Sequence, residues 1–271
     1  MVMFDSLRKD VVDGSGKERV ELPNFKRLKE KTISFENNYA CSLPCMPARR
    51  ELHTGRANFL HRAWGPLEPF DDSMPELLKH AGIHSHLSTD HYHYFEDGGA
   101  TYHNRYSTWA GFRGQENDPW IGDCNHEENG YADILMHHDH QREPLKSDRL
   151  KSGWQNVYNR SARKGEEEYS QTLTFDDGIA FMERNKDADN WFLQIEAFDP
   201  HEPFDSPEGF LKNWFDPDDM SPMDWPPYAR VDETEKEISS MRKKYFSLVQ
   251  FCDFNLGRVL DFMDANGMWE D

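Results

Sequence analysis

Apolar and polar positions alternate along this chain in two rhythms, and the change from one to the other marks its elements. Val2, Met3 and Phe4 form a short apolar run ending on Asp5, the pattern of a buried strand with a carboxylate at its C-terminal end. Leu22 to Leu28 predicts a helix with proline in its first turn, followed by a strand over Ile33–Asn37. Pro47 to Leu52 reads as a proline-led helix closed by Thr54-Gly55. Ser73, Pro75 and Glu76 place an N-cap, an early proline and an acidic third position on the next helix. It stops at Gly82, before a strand over Ile83–Leu87. Leu173–Arg184 has helical periodicity, and Trp191–Ile195 is an apolar strand running into Asp199.

The clearest element comes last. Ile238, Met241, Tyr245, Leu248, Cys252, Leu256, Val259 and Met263 recur at steps of three and four, one apolar stripe on one helix face. That helix spans about 28 residues, roughly 42 Å, and Asn266-Gly267 supplies its C-cap. Residues 96–170 are rich in Gly, Asn, Asp, His and Trp with weak periodicity, and read as a partly irregular insertion. Residues 203–230 are proline-rich and read as an extended surface segment. The alternation of strands and helices predicts an α/β fold with a mainly parallel sheet flanked by helices.

Charge narrows the function. Fifty Asp and Glu against 31 Lys and Arg give a net charge of −19, which excludes a basic face for nucleic acid. Mean hydropathy is −0.91, yet aromatic residues reach 13%, and rings that bury about 150–250 Å² each supply a folded core. No apolar run approaches the ~20 residues of a membrane helix. Four cysteines, Cys41, Cys45, Cys124 and Cys252, do not make a disulfide scaffold at this length. Cytoplasmic location is the default, with a periplasmic or secreted one expected if an N-terminal signal precedes this chain.

One segment carries chemistry. Cys45, Pro47 and Arg49 form C-x-P-x-R, followed by Thr54-Gly55-Arg56. A cysteine at the mouth of a proline-led helix sits at the positive end of its dipole. An arginine one turn on can grip an oxyanion with two N–H groups. Cys41 reads as structural.

This segment resembles the signature of type I sulfatases, members of the alkaline phosphatase superfamily. The resemblance extends over the chain through Phe4-Asp5-Ser6-Leu7-Arg8, Pro23-Asn24-Phe25, Asp199-Pro200-His201-Glu202-Pro203-Phe204 and Leu256-Gly257-Arg258-Val259-Leu260. It implies that Cys45 is oxidised to formylglycine by a maturation enzyme, so that one hydroxyl of the hydrate attacks sulfur and the other expels sulfate by collapse to the aldehyde. It implies a divalent metal, Ca²⁺ first and Mg²⁺ or Mn²⁺ after it, with Asp5 and position 45 as ligands. Arg49 then fixes the hydrate, His201 protonates the leaving group, and His93 and His91 take the sulfate-binding places, with His91 standing where the family usually has lysine. Ser6 replaces the usual second Asp. His137-His138-Asp139-His140 reads as solvated loop, and Arg113–Glu116 with Asp118-Pro119-Trp120 as lining for a specificity pocket.

The family's second pair of metal ligands, on a strand after the last helix, is not found before Asp271. Residues 1–271 are thus expected to be a partial N-terminal catalytic domain, incomplete at the C-terminus, with weakened metal binding and an exposed sheet edge open to homo-oligomerisation. The expected activity is hydrolysis of a small-molecule or carbohydrate sulfate ester. The alternatives are a phosphonate monoester or phosphodiester hydrolase of the same superfamily, or a non-catalytic fragment.

Overall fold

Four short parallel strands form one sheet, in the order β1-β4-β2-β3. They are β1 (Val2–Phe4), β2 (His84–Thr89), β3 (Thr108–Gly111) and β4 (Trp191–Ala197). The computed structural model describes residues 1–58, 62–124, 155–215, 220–221, 223–226, 228 and 230–270. β4 lies between β1 and β2, with Ile195 opposite Val2 on one side and Ser88 on the other.

Side-chain alternation along β4 divides the interior. Leu193, Ile195 and Ala197 pack with Phe175, Phe181 and Met182 of helix α5 (Ser170–Asn185) and Val259 of helix α7 (Glu235–Asn266). Gln194 and Glu196 point to the other face. There Tyr106 donates to Gln194 at 2.5 Å and Tyr94 to Glu196 at 2.9 Å. Both tyrosines belong to a second cluster with Met46 and Leu87. Helix α3 (Cys45–Thr54) supplies Met46 to this side, and α4 (Met74–His80) leads into β2. The sheet therefore carries an apolar face and a face with a buried polar stripe. That stripe is the floor of the site.

Further helices include α1 (Lys9–Val12), α2 (Pro23–Lys31) and α6 (Glu208–Leu211). The α2 N-terminus has no side-chain cap of its own. Asp253 of α7 supplies one across the fold, accepting from Asn24 N at 3.0 Å and Phe25 N at 2.7 Å. These are donors a helix start leaves orphaned. The stripe on the last helix is as expected, but the element is 32 residues long because a Thr234–Glu237 capping box starts it earlier. Gly267, at φ 66°, ends it as the sequence indicates.

Three expectations change. Ile33–Asn37 is not a strand, and Ile33 and Phe35 are 84% and 80% exposed. The alternation is real, but among the described residues β1 hydrogen-bonds only to β4 and no ladder includes this segment, and β-propensity without a neighbour does not make a strand. The described part of 96–170 is more ordered than its composition suggests, since it contains β3 and the buried Tyr102, Tyr106, Gln115 and Asp118. His137–His140 lie outside the described residues. The proline-rich 203–230 segment is not purely superficial, because it holds α6 and buries Ser206 and Asp224.

α5 meets the sheet without a spacer. A Cβ on Gly178 would stand 2.4 Å from Ile195 Cδ1 and 2.5 Å from its Cγ1, and Ile195 is buried in β4. Gly178→Ala should therefore lower stability by about 1–3 kcal/mol through overpacking, read as a reduced urea midpoint with an unchanged slope.

Candidate active site

Every strand ends on the same side of the sheet, and each delivers a polar side chain there, the usual location of sites in open parallel sheets. Asp5 follows β1, and its N–H donates to Ala197 O at 3.1 Å. Ser6 adopts φ 56°, and its hydroxyl donates to Asp5 Oδ1 at 2.9 Å, so it supports the carboxylate that precedes it. Tyr245 of α7 locks this turn by donating to Ser6 O and accepting from Arg8 N, each at 2.9 Å.

Cys45 is the first residue of α3, half-buried, and Arg49 is one turn further on the same face. Arg49 is 5% exposed and lies between two carboxylates. Its Nη1 is 2.7 Å from Asp5 Oδ2, and its Nη2 is 2.8 Å from Glu196 Oε1. Its Nε donates to Glu196 Oε1 at 2.9 Å. Burial opposes the charge on the guanidinium, but Glu196 and then Asp5 more than offset it, and Arg49 stays protonated. Burial likewise raises Asp5, but the close approach of His91 and the charge of Arg49 hold its carboxyl well below the usual range. Burial, reinforced by the charge of Asp5, pushes the Cys45 thiol up to about 12. An unmodified Cys45 is thus a protonated, weak nucleophile at neutral pH.

His91 joins this group. Its Nε2 is 3.5 Å from Asp5 Oδ2, and neither ring nitrogen makes an aligned hydrogen bond although the residue is fully buried. Burial, with the charge of Arg49, lowers it to about 4, so the ring is neutral. Ligand atoms of Asp5, Cys45 and His91 all lie within 4.8 Å of one another. One ionised carboxylate, one neutral imidazole with uncommitted nitrogens and the position-45 side chain are a donor set that fits a divalent cation.

The other two histidines stand a step away. His93 packs against His91 with ring centroids 5.3 Å apart, and its Nδ1 lies 2.6 Å from Glu96 Oε2. His201 follows β4 and stacks on Phe198 at 4.4 Å. Its Nδ1 donates to the Glu202 carbonyl at 2.6 Å. Glu116, beyond the end of β3, approaches both rings, 3.4 Å from His201 Nδ1 and 3.8 Å from His93 Nε2. The structure thus brings Asp5, Cys45, Arg49 and His91 into one cluster, with His93 and His201 joined beside it through Glu116.

Behind these groups lies a buried tie. Gln115 Nε2 donates to Asp90 Oδ2 at 2.9 Å and to Asp199 Oδ1 at 3.2 Å. Asp90 also accepts from Phe198 N at 2.7 Å, and Asp199 from Gln171 at 2.7 Å. Gln115 is buried, whereas Arg113, Asp118 and Pro119 line a pocket with Tyr92, Glu96 and Trp109. Glu196 and Asp90 were absent from the sequence-level site, and Gln115 and Glu116 entered it only as pocket lining. The only signal for Glu196 was a carboxylate inside an otherwise apolar strand.

The sulfatase family model matches residues 1–271. Choline-sulfatase of Rhizobium meliloti (strain 1021) is 22% identical over 309 residues, covering 100% of this chain and 54% of that protein. Phosphonate monoester hydrolase of Agrobacterium radiobacter superposes with a TM-score of 0.65 at 17% identity, over 100% of this chain and 60% of that one. The phosphonate monoester hydrolase of Silicibacter pomeroyi gives 0.66 at 19% identity, again over 100% and 60%. These structures have the same fold, and this chain spans between about half and three-fifths of the length of such relatives.

The buried carboxyl pair gives a pH signature. Burial, and for Asp199 also the charge of Asp90, raises Asp90 to about 6 and Asp199 to about 7. Between about pH 4 and 7 the folded chain thus retains protons that the unfolded chain has released. This contribution to stability is largest at the acid end of that window and declines as pH rises through the folded values. Asp199→Asn should flatten the decline, so its urea midpoint should change less between pH 5 and pH 8 than that of the wild type.

Proposed function

This chain belongs to the sulfatase family, and we propose that it is a sulfuric ester hydrolase whose nucleophile is the formylglycine made from Cys45. The observation that carries this reading is the convergence of Asp5, Cys45, Arg49 and His91 at the mouth of α3. As a thiol, position 45 is poorly suited to attack; as an aldehyde hydrate it offers a hydroxyl in the same place. A maturation enzyme supplies that oxidation.

Asp5, position 45 and His91 would hold the divalent metal, which when bound lowers the pKa of the attacking hydroxyl and stabilises charge on the ester oxygens. Ca²⁺ takes about 6–8 oxygen ligands and Mg²⁺ about six. Among these three residues Asp5 and a hydrated position 45 provide oxygen, and His91 provides nitrogen. His91 is therefore reassigned here from the sulfate to the metal. Arg49 balances the anionic charge at position 45 and is itself immobilised by Glu196. His201, anchored through Nδ1, is left with Nε2 to give a proton to the departing alcohol, while His93 faces the sulfate.

The proposed substrate is a small-molecule or carbohydrate sulfate ester, and the likeness to choline-sulfatase supports a small alcohol as the leaving group. A second reading, hydrolysis of phosphonate monoesters or phosphodiesters, is favoured by Ser6, which puts a neutral hydroxyl beside Asp5 and lowers the negative charge of the site. No described helix is long and apolar enough to cross a membrane.

When the chain is produced with a maturation enzyme, the tryptic peptide spanning Cys45 should carry an aldehyde that hydrazide reagents trap. Cys45→Ala should lower sulfate-ester hydrolysis by roughly 10³-fold or more. Full activity with an unmodified thiol would overturn the mechanism. Faster turnover of a phosphodiester than of the matched sulfate ester would replace the substrate class.

A further inference from the structure

Among the groups surrounding the site, Glu116 is the one whose conformation is hardest to account for by folding alone. It adopts φ 43° without being glycine, a left-handed conformation that L side chains adopt at a cost and that clusters at functional sites. The loop around it is built to maintain this. Gly114, at φ 116°, leaves no room for a Cβ against the Trp120 ring. Asp118 accepts from Gly114 N at 2.8 Å and from Arg113. Gln115 pins the loop to Asp90 and Asp199.

What the loop presents is a carboxylate with directed contacts. Tyr92 donates to Glu116 Oε2 at 2.9 Å. The same oxygen lies 3.8 Å from His93 Nε2, and Oε1 lies 3.4 Å from His201 Nδ1. The side chain of Glu116 is 11% exposed, and those of His93 and His201 are 13% and 12% exposed. His201 also has the Glu202 carboxylate at 3.5 Å, with Asp5 and His93 as its other charged or titratable neighbours. The contacts of His201 with Glu116 and Glu202 all run through Nδ1. The bond made by one imidazole nitrogen decides which tautomer and which face the other presents.

We propose that Glu116 is a positioning residue, the carboxylate that, beside the Glu202 carbonyl that accepts from Nδ1 at 2.6 Å, holds the protonated Nδ1 side of His201 and steadies His93, so that His201 Nε2 faces the leaving group. The role deepens the sulfatase reading and rests on it for the identity of the reaction. Glu116 makes no contact with the ester; it acts through His201.

Two variants of the 271-residue chain test this. Glu116→Gln keeps shape and removes charge. Glu116→Gly removes the side chain and relaxes the left-handed backbone. Long-range ¹H–¹⁵N NMR on histidine-labelled protein then reads the tautomer of His201. Both variants should reduce the Nδ1-protonated tautomer, while Glu116→Gly keeps or raises the melting temperature. In the matured chain kcat should fall about 10–100-fold with KM little changed. An unmoved His201 in folded variants overturns the role, and so does loss of the fold in both, which would make Glu116 a structural residue. If the matured wild type hydrolyses no sulfate ester while His201 still shifts, the sulfatase reading fails and the Glu116–His201 coupling stands.

Discussion

A guanidinium clamped between two carboxylates away from water is the interaction on which this site depends. Removing Arg49, Asp5 and Glu196 from solvent costs several kcal/mol per ion, repaid only while all three remain together with good geometry. Arg49 meets Glu196 through both Nε and Nη2, and Asp5 through Nη1. Tyr94 and Gln194 fill the remaining acceptor capacity of Glu196. The cluster binds β1, β4 and α3 to each other by charge as well as by packing. It also determines the chemistry nearby: Asp5 stays ionised, His91 stays neutral, and the thiol of Cys45 is discouraged from ionising. The same electrostatic environment thus favours a metal-binding carboxylate and disfavours a thiolate nucleophile.

Around this ionic centre the loops are bound together by hydrogen bonds rather than by apolar contact. Gln115 reaches two strand-end carboxylates with one amide nitrogen. Asp90 in turn accepts from the backbone of Phe198, whose ring stacks on His201. A displacement of any one loop would strand a buried acceptor without its donor, a loss of about 1–3 kcal/mol. The result is a site assembled from segments far apart in sequence, with little freedom in their relative placement.

Much of this was legible in the chain because it is local. Cys45 and Arg49 share a helix face by their spacing, Gly55 and Gly267 end their helices in the left-handed conformation, and Asp5 and His201 sit where apolar strands stop. The unseen part is what only tertiary pairing decides. Glu196 looks like an intruder in an apolar strand until the twofold alternation of β4 turns it toward Arg49. Glu116 lies in a stretch without periodicity, and nothing local announces that its loop meets two histidines. The sequence placed His91 by analogy of position at the sulfate; its Nε2 instead faces the Asp5 carboxylate at 3.5 Å. Ile33–Asn37 failed the other way, with a convincing local rhythm and no ladder to join. Asp253, capping α2 from another helix, was invisible for the same reason.

The strand order has a consequence for synthesis. β4 is the last of the four strands to leave the ribosome, yet it is the one inserted between β1 and β2, and the amino terminus of Met1 bonds to a carbonyl 192 positions away. Until residue 197 has emerged, β1 has no hydrogen-bonding neighbour in the sheet. Contacts of such long range are slow to form, and during translation β1 must wait for β4, its neighbour among the described strands. This places the burden on chaperones, or on the pace of elongation, to keep the first strand free until its partner arrives.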